Sequence, residues 1–228
     1  MHFLIILILL LAVLFVPQWW AQYTFRRYSK PRDDIPGTGG ELARHLLDQF
    51  EMKNVQVDRA PPNQDHYDPT SRTVRLSPDN FNVNSLTAIA VATHEVGHAI
   101  QHHRDEPMLN LRTRLVGFAS TAQKLGAGAM VLMPIVALIT RAPTAGLIMF
   151  GAGIASMGAA AVVHLVTLPV ELDASFGKAL PILSRGNYIS AKDEAAVRRI
   201  LRAAALTYVA ASLASLLNVW RWIALLRR

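Results

Sequence analysis

Long apolar runs alternate with one extended polar stretch along this chain. Phe3 to Ala21 reads FLIILILLLAVLFVPQWWA, without a charge. At about 1.5 Å per helical residue it nearly spans a hydrocarbon core of roughly 30 Å. Three more apolar stretches follow, roughly Ala122 to Thr140, Thr144 to Leu168 and Ala203 to about Ile223. The pattern predicts about four transmembrane helices. The first run is expected to be an anchor rather than a cleaved signal, because only Met1 and His2 precede it and no small-x-small cleavage pattern follows.

Between the first two runs lie about a hundred mostly polar residues, enough for a folded subdomain. A Pro/Gly-rich linker, Pro31 to Gly40, leads into Glu41 to Glu51, where Leu42, Leu46, Leu47 and Phe50 recur on one helical face. Val55 to Asp58 and Thr73 to Leu76 read as short strands forming a small antiparallel pair, separated by the turn-rich APPNQDHYDPTSR. Asn84 or Ser85 can cap a helix from Leu86 to about His103. Ser190 to Asp193, SAKD, reads as a capping box that starts a helix running through Arg202 into the last apolar stretch.

Only Arg141 to Pro143 separate the second and third runs, so these are expected to form a tight hairpin that brings residues before Ala122 and after Leu168 to one side. The expected organisation is an N-terminal transmembrane helix (1–21), a soluble subdomain (22–121), a transmembrane hairpin (122–168), a returning segment (169–202) and a C-terminal transmembrane helix (203–228). The expected fold class is a mainly α integral-membrane protein carrying a small α+β subdomain.

Composition agrees with that picture: 52% of residues are hydrophobic and the mean hydropathy is +0.26. The net charge of +7 raises nucleic acid as a partner. Lys and Arg are nevertheless spread over loops with balancing acids and without aromatic-basic clusters, so no nucleic acid is expected and a lipid bilayer with anionic headgroups is the better partner. Arg26, Arg27, Lys30 and Arg32 follow the first run, and Lys178, Arg185, Lys192, Arg198, Arg199 and Arg202 follow the hairpin, which places that side in the cytoplasm; Arg227 and Arg228 run against the rule. With no cysteine in the chain, disulfides and thiolate sites are excluded and any metal must be held by His, Asp or Glu.

His94-Glu95-Val96-Gly97-His98 is an H-E-x-x-H sequence inside the predicted helix. Histidines at i and i+4 project from one helical face toward a common point, which suits zinc. Glu95, about 100° round the helix, is placed to act as general base on a water whose pKa the metal lowers to about 7. The bland alternative is a surface helix with solvated His and Glu. Gly97 in mid-helix costs roughly 1 kcal/mol relative to Ala, which points to close approach of another element. Catalytic zinc usually has three protein ligands, and Glu171 and Asp173, just past the third apolar run, are the candidates for the third.

HEVGHAIQH, followed after the hairpin by TLPVELDAS, resembles the YugP-like family of bacterial membrane neutral zinc metallopeptidases. DHYDP at Asp65 to Pro69, TVRLS at Thr73 to Ser77 and AAALTYVAAS at Ala203 to Ser212 extend the resemblance over nearly the whole chain. It implies a zincin-like, gluzincin protease domain in which Glu171 joins His94 and His98 on Zn2+ and Asp173 stands behind the ligands or is structural. Related gluzincins of the HtpX type carry Glu-x-x-x-Asp here, whereas this chain has Ser175 four residues after Glu171. The acidic group that usually orients a zinc histidine is then missing, and Asp173 or a backbone carbonyl is the substitute.

His66 and Tyr67 are candidate donors to a developing oxyanion, against the simpler reading of turn chemistry around Asp65, Asp68 and Pro69. The strand Thr73 to Leu76 is a candidate edge for pairing with an extended peptide. His164, inside the third apolar run, reads as structural, and His45, His102 and His103 read as solvated. The function expected is peptide-bond hydrolysis by a zinc metalloendopeptidase of the bacterial inner membrane with a cytoplasmic active site. Its expected partners are a peptide or membrane-protein substrate and an oligomeric or regulatory membrane partner. The rivals are a non-proteolytic membrane adaptor with structural zinc and a small transporter using His164.

Overall fold

The computed structural model describes residues 2–140, 151, 163 and 166–207, which form a mostly helical protein with one small three-stranded sheet. Helix α1, His2–Arg27, leads through the linker to α2, Gly39–Gln49. A reciprocal capping box starts α2: Glu41 N–H donates to Thr38 Oγ1 (3.3 Å), and Thr38 N–H donates to Glu41 Oε2 (2.8 Å). The helix begins two residues before the predicted Glu41 because the cap sits on Thr38, and Gly39 lies against its neighbours. A Cβ there would stand 2.2 Å from Asn80 O and 2.8 Å from Ala88 O.

Strands β1 (Gln56–Arg59), β2 (His66–Asp68) and β3 (Thr73–Leu76) are ordered β1-β3-β2. Both predicted strands exist, but they pair parallel, with Gln56 opposite Thr73 and Arg59 opposite Leu76. The antiparallel expectation fails because β2 forms within the intervening segment and makes the hairpin with β3, His66 facing Arg75. Asp68 builds that turn, accepting from Thr70 N (2.9 Å), Ser71 Oγ (2.7 Å) and Arg75 Nη1 (2.8 Å), while Arg72 takes a positive φ of 51°. Strand β3 is therefore central, paired on both sides, and is not the edge expected to receive a peptide.

A short turn of helix, α3 (Pro78–Phe81), precedes α4, Leu86–His103, whose first turn is capped by Ser85 Oγ accepting from Ala88 N at 3.1 Å. Every residue from Leu86 to Gln101 except Val91 is buried. On one side Leu46, Leu47, Val74 and Leu76 pack with Val96 and Ile100. On the other, Leu180, Leu183, Ile200 and Leu201 pack with Leu86 and Ile89. Each such large side chain contributes roughly 1.5–3 kcal/mol by leaving water, so α4 is held rigidly as the central helix.

Helix α5, Pro107–Thr140, continues from α4. After it, helix α6 (residues 166–172) widens into the π-helical stretch η1, Asp173–Ala179, and returns to α-helix as α7, Leu180–Arg185. Helix α8 covers residues 194–207. Arg32 ties the linker to the start of α8 through Asp193 (Nη1 to Oδ1, 2.7 Å).

Among the described residues no helix is long and apolar enough to cross a membrane, which overturns the expected fold class with about four transmembrane helices. The first two apolar runs lie in α1 and α5. The first run lies in α1, which contains Pro17 and ends on Arg26 and Arg27. Its last turns dock on α4, with Thr87 Oγ1 donating to Phe25 O at 2.9 Å and Thr87 N–H to Tyr28 O at 3.1 Å. The second run is the latter part of α5, a helix that also carries Arg112, Arg114 and Lys124. The expected hairpin loop at Arg141 to Pro143, most of the third run including His164, and the fourth run beyond Thr207 lie outside the described residues.

Candidate metal centre

Helix α4 presents His94 and His98 one turn apart, with ring centroids 4.7 Å from each other and both side chains buried. Opposite them, Glu171 near the end of α6 is wholly buried. Its Oε2 lies 3.2 Å from both His94 Nε2 and His98 Nε2. Gly97 permits the approach, since a Cβ there would stand 2.9 Å from Ala174 O. The element expected beneath the helix is thus η1, immediately after Glu171.

One ligand atom from each of His94, His98 and Glu171 lies within 4.8 Å of the others, a group that could hold a metal ion. The donor set suits zinc: two imidazole nitrogens and a carboxylate oxygen, without sulfur. Glu171 Oε1 also accepts no hydrogen bond although it is buried. Arg112 Nη1 approaches it to 3.2 Å as an ion pair without alignment for a hydrogen bond. A buried carboxylate with one oxygen between two imidazoles and the other without a hydrogen bond fits a site built for a cation.

The groups behind the histidines set which ring nitrogen faces the centre. Gln101 donates both amide hydrogens, to Val170 O (3.0 Å) and Asp173 Oδ2 (2.8 Å), so its Oε1 must face His98 Nδ1 at 2.9 Å and accept from it. Nε2 is thereby the ring nitrogen of His98 that faces Glu171. Ser175 Oγ lies 3.1 Å from His94 Nδ1 and plays the corresponding part. Among the described residues neither Asp173 nor a backbone carbonyl hydrogen-bonds the His94 ring; Ser175, at the position of the expected acid, does so.

Asp173 lies outside the ligand group. It pairs with Lys178, five residues along the π-helical turn, and Lys178 Nζ also meets Glu106 Oε1 at 3.0 Å. Burial raises the Asp173 carboxyl, but hydrogen bonds from Lys178 and Gln101 prevail and hold it below its ordinary range.

Glu95 and Glu171 respond oppositely to the same neighbourhood. Burial pushes the Glu95 carboxyl up to about 7, with the charge of Glu171 adding to the rise and His94 and the Tyr67 backbone opposing it. Burial also works to raise Glu171, but the charge and hydrogen bonds of His98 and His94 hold it well below the usual carboxylate range. One acid is poised to exchange a proton near neutrality and the other to remain an anion.

The remaining predicted residues are not brought into the ligand group. His66 is exposed, its Nδ1 2.8 Å from Gln64 O. The Tyr67 hydroxyl lies 2.7 Å from His102 Nδ1, and burial pushes its phenol up to about 12. His102 is thus half-buried and partnered, not solvated as expected. Asp65 accepts from Ser77 N (2.6 Å) and Asn80 Nδ2 (2.9 Å), binding the β2 loop to the end of β3. Sequence reasoning missed Gln101 and Arg112. Gln101 had a usable signal, three residues beyond His98 on the same helical face; Arg112 had none.

The model of a family described as "Putative neutral zinc metallopeptidase" matches residues 3–227 of the chain. The chain is also similar to the "Putative membrane protease YugP" of Bacillus subtilis (strain 168), 40% identical over 214 residues that cover 90% of this chain and 89% of that protein. No solved structure gives a significant match. The length of both matches, and the inclusion of HEVGH and Glu171 in the family match, place this chain in the YugP-like family of neutral zinc metallopeptidases.

Proposed function

We propose that this chain is a zinc-dependent endopeptidase in which His94, His98 and Glu171 hold the metal and Glu95 is the general base. The observation that carries the reading is the convergence of two directed imidazoles and one buried carboxylate, with a second buried carboxyl of raised pKa beside them. Zinc, when bound, supplies a Lewis acid that polarises the scissile carbonyl and acidifies water. The protein's own groups do the rest. Gln101 and Ser175 orient the imidazoles, and the closed surroundings of α4 exclude bulk water. The Glu95 carboxylate takes the proton of the attacking water and then delivers it to the leaving amine.

A membrane setting is part of this proposal. It is supported by the name of the Bacillus relative and by exposed apolar side chains on α1 (Phe15, Trp19) and α5 (Phe118, Leu125).

The deciding experiment is zinc content measured beside casein hydrolysis for wild type, Glu171→Ala, Asp173→Ala and Glu95→Gln. Zinc should be lost with Glu171 and kept in the other two, while Glu95→Gln loses activity by about 10²–10⁴-fold. A wild type that binds no supplied zinc, or a fully active Glu95→Gln, would overturn the assignment.

A further inference from the structure

A cavity opens beside Glu95, and Glu171 is not among the described residues that line it. Its volume is about 230 Å³, and His94 and Glu95 form part of its lining. Most of the wall is apolar: Phe25 of α1, Val91 of α4, and Leu201 and Ala204 of α8. The polar part of the lining includes Asn63 and Asp65, from the segment before β2. Four separate parts of the chain therefore converge on one small chamber at the base.

Pockets that enclose a drug-sized ligand run to roughly 300–1,000 Å³, so this one has room for a single large side chain. Its chemistry narrows the class. Among the described residues no Lys or Arg lines it, so an acidic side chain finds no partner there. Asp65 is the acidic lining group other than Glu95, and both of its oxygens already accept from Ser77 and Asn80. An ammonium entering the chamber would meet apolar walls, Glu95 and the already satisfied Asp65, and pairing with Glu95 would take the base from the reaction. Leu, Met or Phe would lose only water.

We infer that this cavity is a substrate subsite that receives a large apolar side chain adjoining the scissile peptide bond. The inference rests on the peptidase reading and adds a substrate class to it: peptides with Leu, Met or Phe at one of the two positions flanking the cleaved bond. Val91 is the one residue of α4 between Leu86 and Gln101 that is not buried, and it faces this chamber three residues before His94. It marks where the central helix is left open to an occupant.

The test uses the zinc-loaded full chain and quenched fluorescent peptides carrying Gly, Ala, Leu, Phe, Lys or Glu at each flanking position. At one position Leu and Phe should exceed Gly and Glu in kcat/KM by on the order of tenfold or more. Ala204→Phe, which fills the chamber, should lose the large apolar peptides while keeping the Ala peptide. Val91→Ala, which enlarges it, should retain Leu and improve Phe, and it carries the test if the first variant does not fold. Anisotropy of the same peptides on Glu95→Gln should give the same order without turnover. Cleavage with flat preference, with preference for Lys or Glu, or with preference unchanged in both variants would remove the subsite and leave the peptidase standing. Failure of the zinc-loaded wild type to cleave any peptide would remove both.

Discussion

Helix α4 and the 170–178 segment each bury a glutamate beside the same two histidines, and their surroundings push the two carboxyls in opposite directions. Glu95 is raised to about 7 because burial is only partly offset. Glu171 is equally removed from water but lies on both imidazole Nε2 atoms, and it is held low. Burial alone therefore makes a base; burial against two nitrogen donors makes a ligand. The difference lies in what faces each carboxylate, not in how deep it sits.

The sharpest way to break that comparison is through pH. For metal-free protein, the raised Glu95 carboxyl contributes stability below its ordinary value of 4.5 and loses it as pH rises through about 7. The span corresponds to about 3 kcal/mol, an upper figure for a buried group. Glu171, held low, contributes stability above the ordinary value and loses it only as pH falls toward its own titration in strong acid. Urea denaturation at pH 5 and pH 7.5 should show Glu95→Gln gaining stability over wild type at the higher pH and not at the lower. An equal gain at both would mean that Glu95 is not raised.

Next in size is Gln101→Leu. The change leaves His98 Nδ1, Val170 O and Asp173 without their shared amide in a buried position. Zinc affinity, read by chelator competition, should fall about 10–100-fold. Stability should fall by about 1–3 kcal/mol. Unchanged affinity would show that His98 does not depend on this amide for its orientation.

Gly97→Ala pits local propensity against tertiary contact. An isolated helix would gain about 1 kcal/mol from the substitution. Here the new methyl meets Ala174 O at 2.9 Å, backbone that cannot rotate away, so overpacking should win and cost about 1–3 kcal/mol. A thermal melt decides on sign alone: a stabilised variant would mean that α4 and η1 are not in contact at this point.

How far each region was legible in the sequence follows the same division. The HEVGH spacing and the Ser85 cap, one of the two offered with Asn84, are local, set within one or two turns, and they appear where the pattern puts them; the α2 start lies two residues earlier than the pattern put it, on a Thr38 cap inside the expected linker. From the residues alone Glu171 was one of two acids, and only the family resemblance chose it, because what distinguishes it from Asp173 is a π-helical stretch that turns Asp173 toward Lys178. The parallel β1-β3 pairing was hidden because it depends on β2 arising inside a segment that reads as turns. The apolar runs misled for a related reason. Hydropathy records that a residue avoids water but not what covers it: Ala21 at the end of the first run is buried by the protein itself, while Phe15, Val16 and Trp19 of the same run stand exposed.

The smallest expected effect concerns the position where this chain departs from Glu-x-x-x-Asp. Ser175, fully buried, meets His94 Nδ1 at 3.1 Å as a neutral partner, just as the neutral Gln101 meets His98. Among the described residues neither histidine is backed by a carboxylate, the group that orients the imidazole in a carboxylate–histidine–metal chain. Ser175→Asp would supply that charge to His94 alone. With zinc bound, the added anion is compensated and affinity should rise by about tenfold. Without zinc, the same anion stands near Glu171 in a buried site and should lower the stability of the metal-free protein. The two signs must be opposite: tighter zinc in competition titrations, earlier unfolding in chelator. A variant that loses zinc affinity would show that the serine hydroxyl is the fitted partner of His94, and that η1 has no room for the carboxylate that related proteases place there.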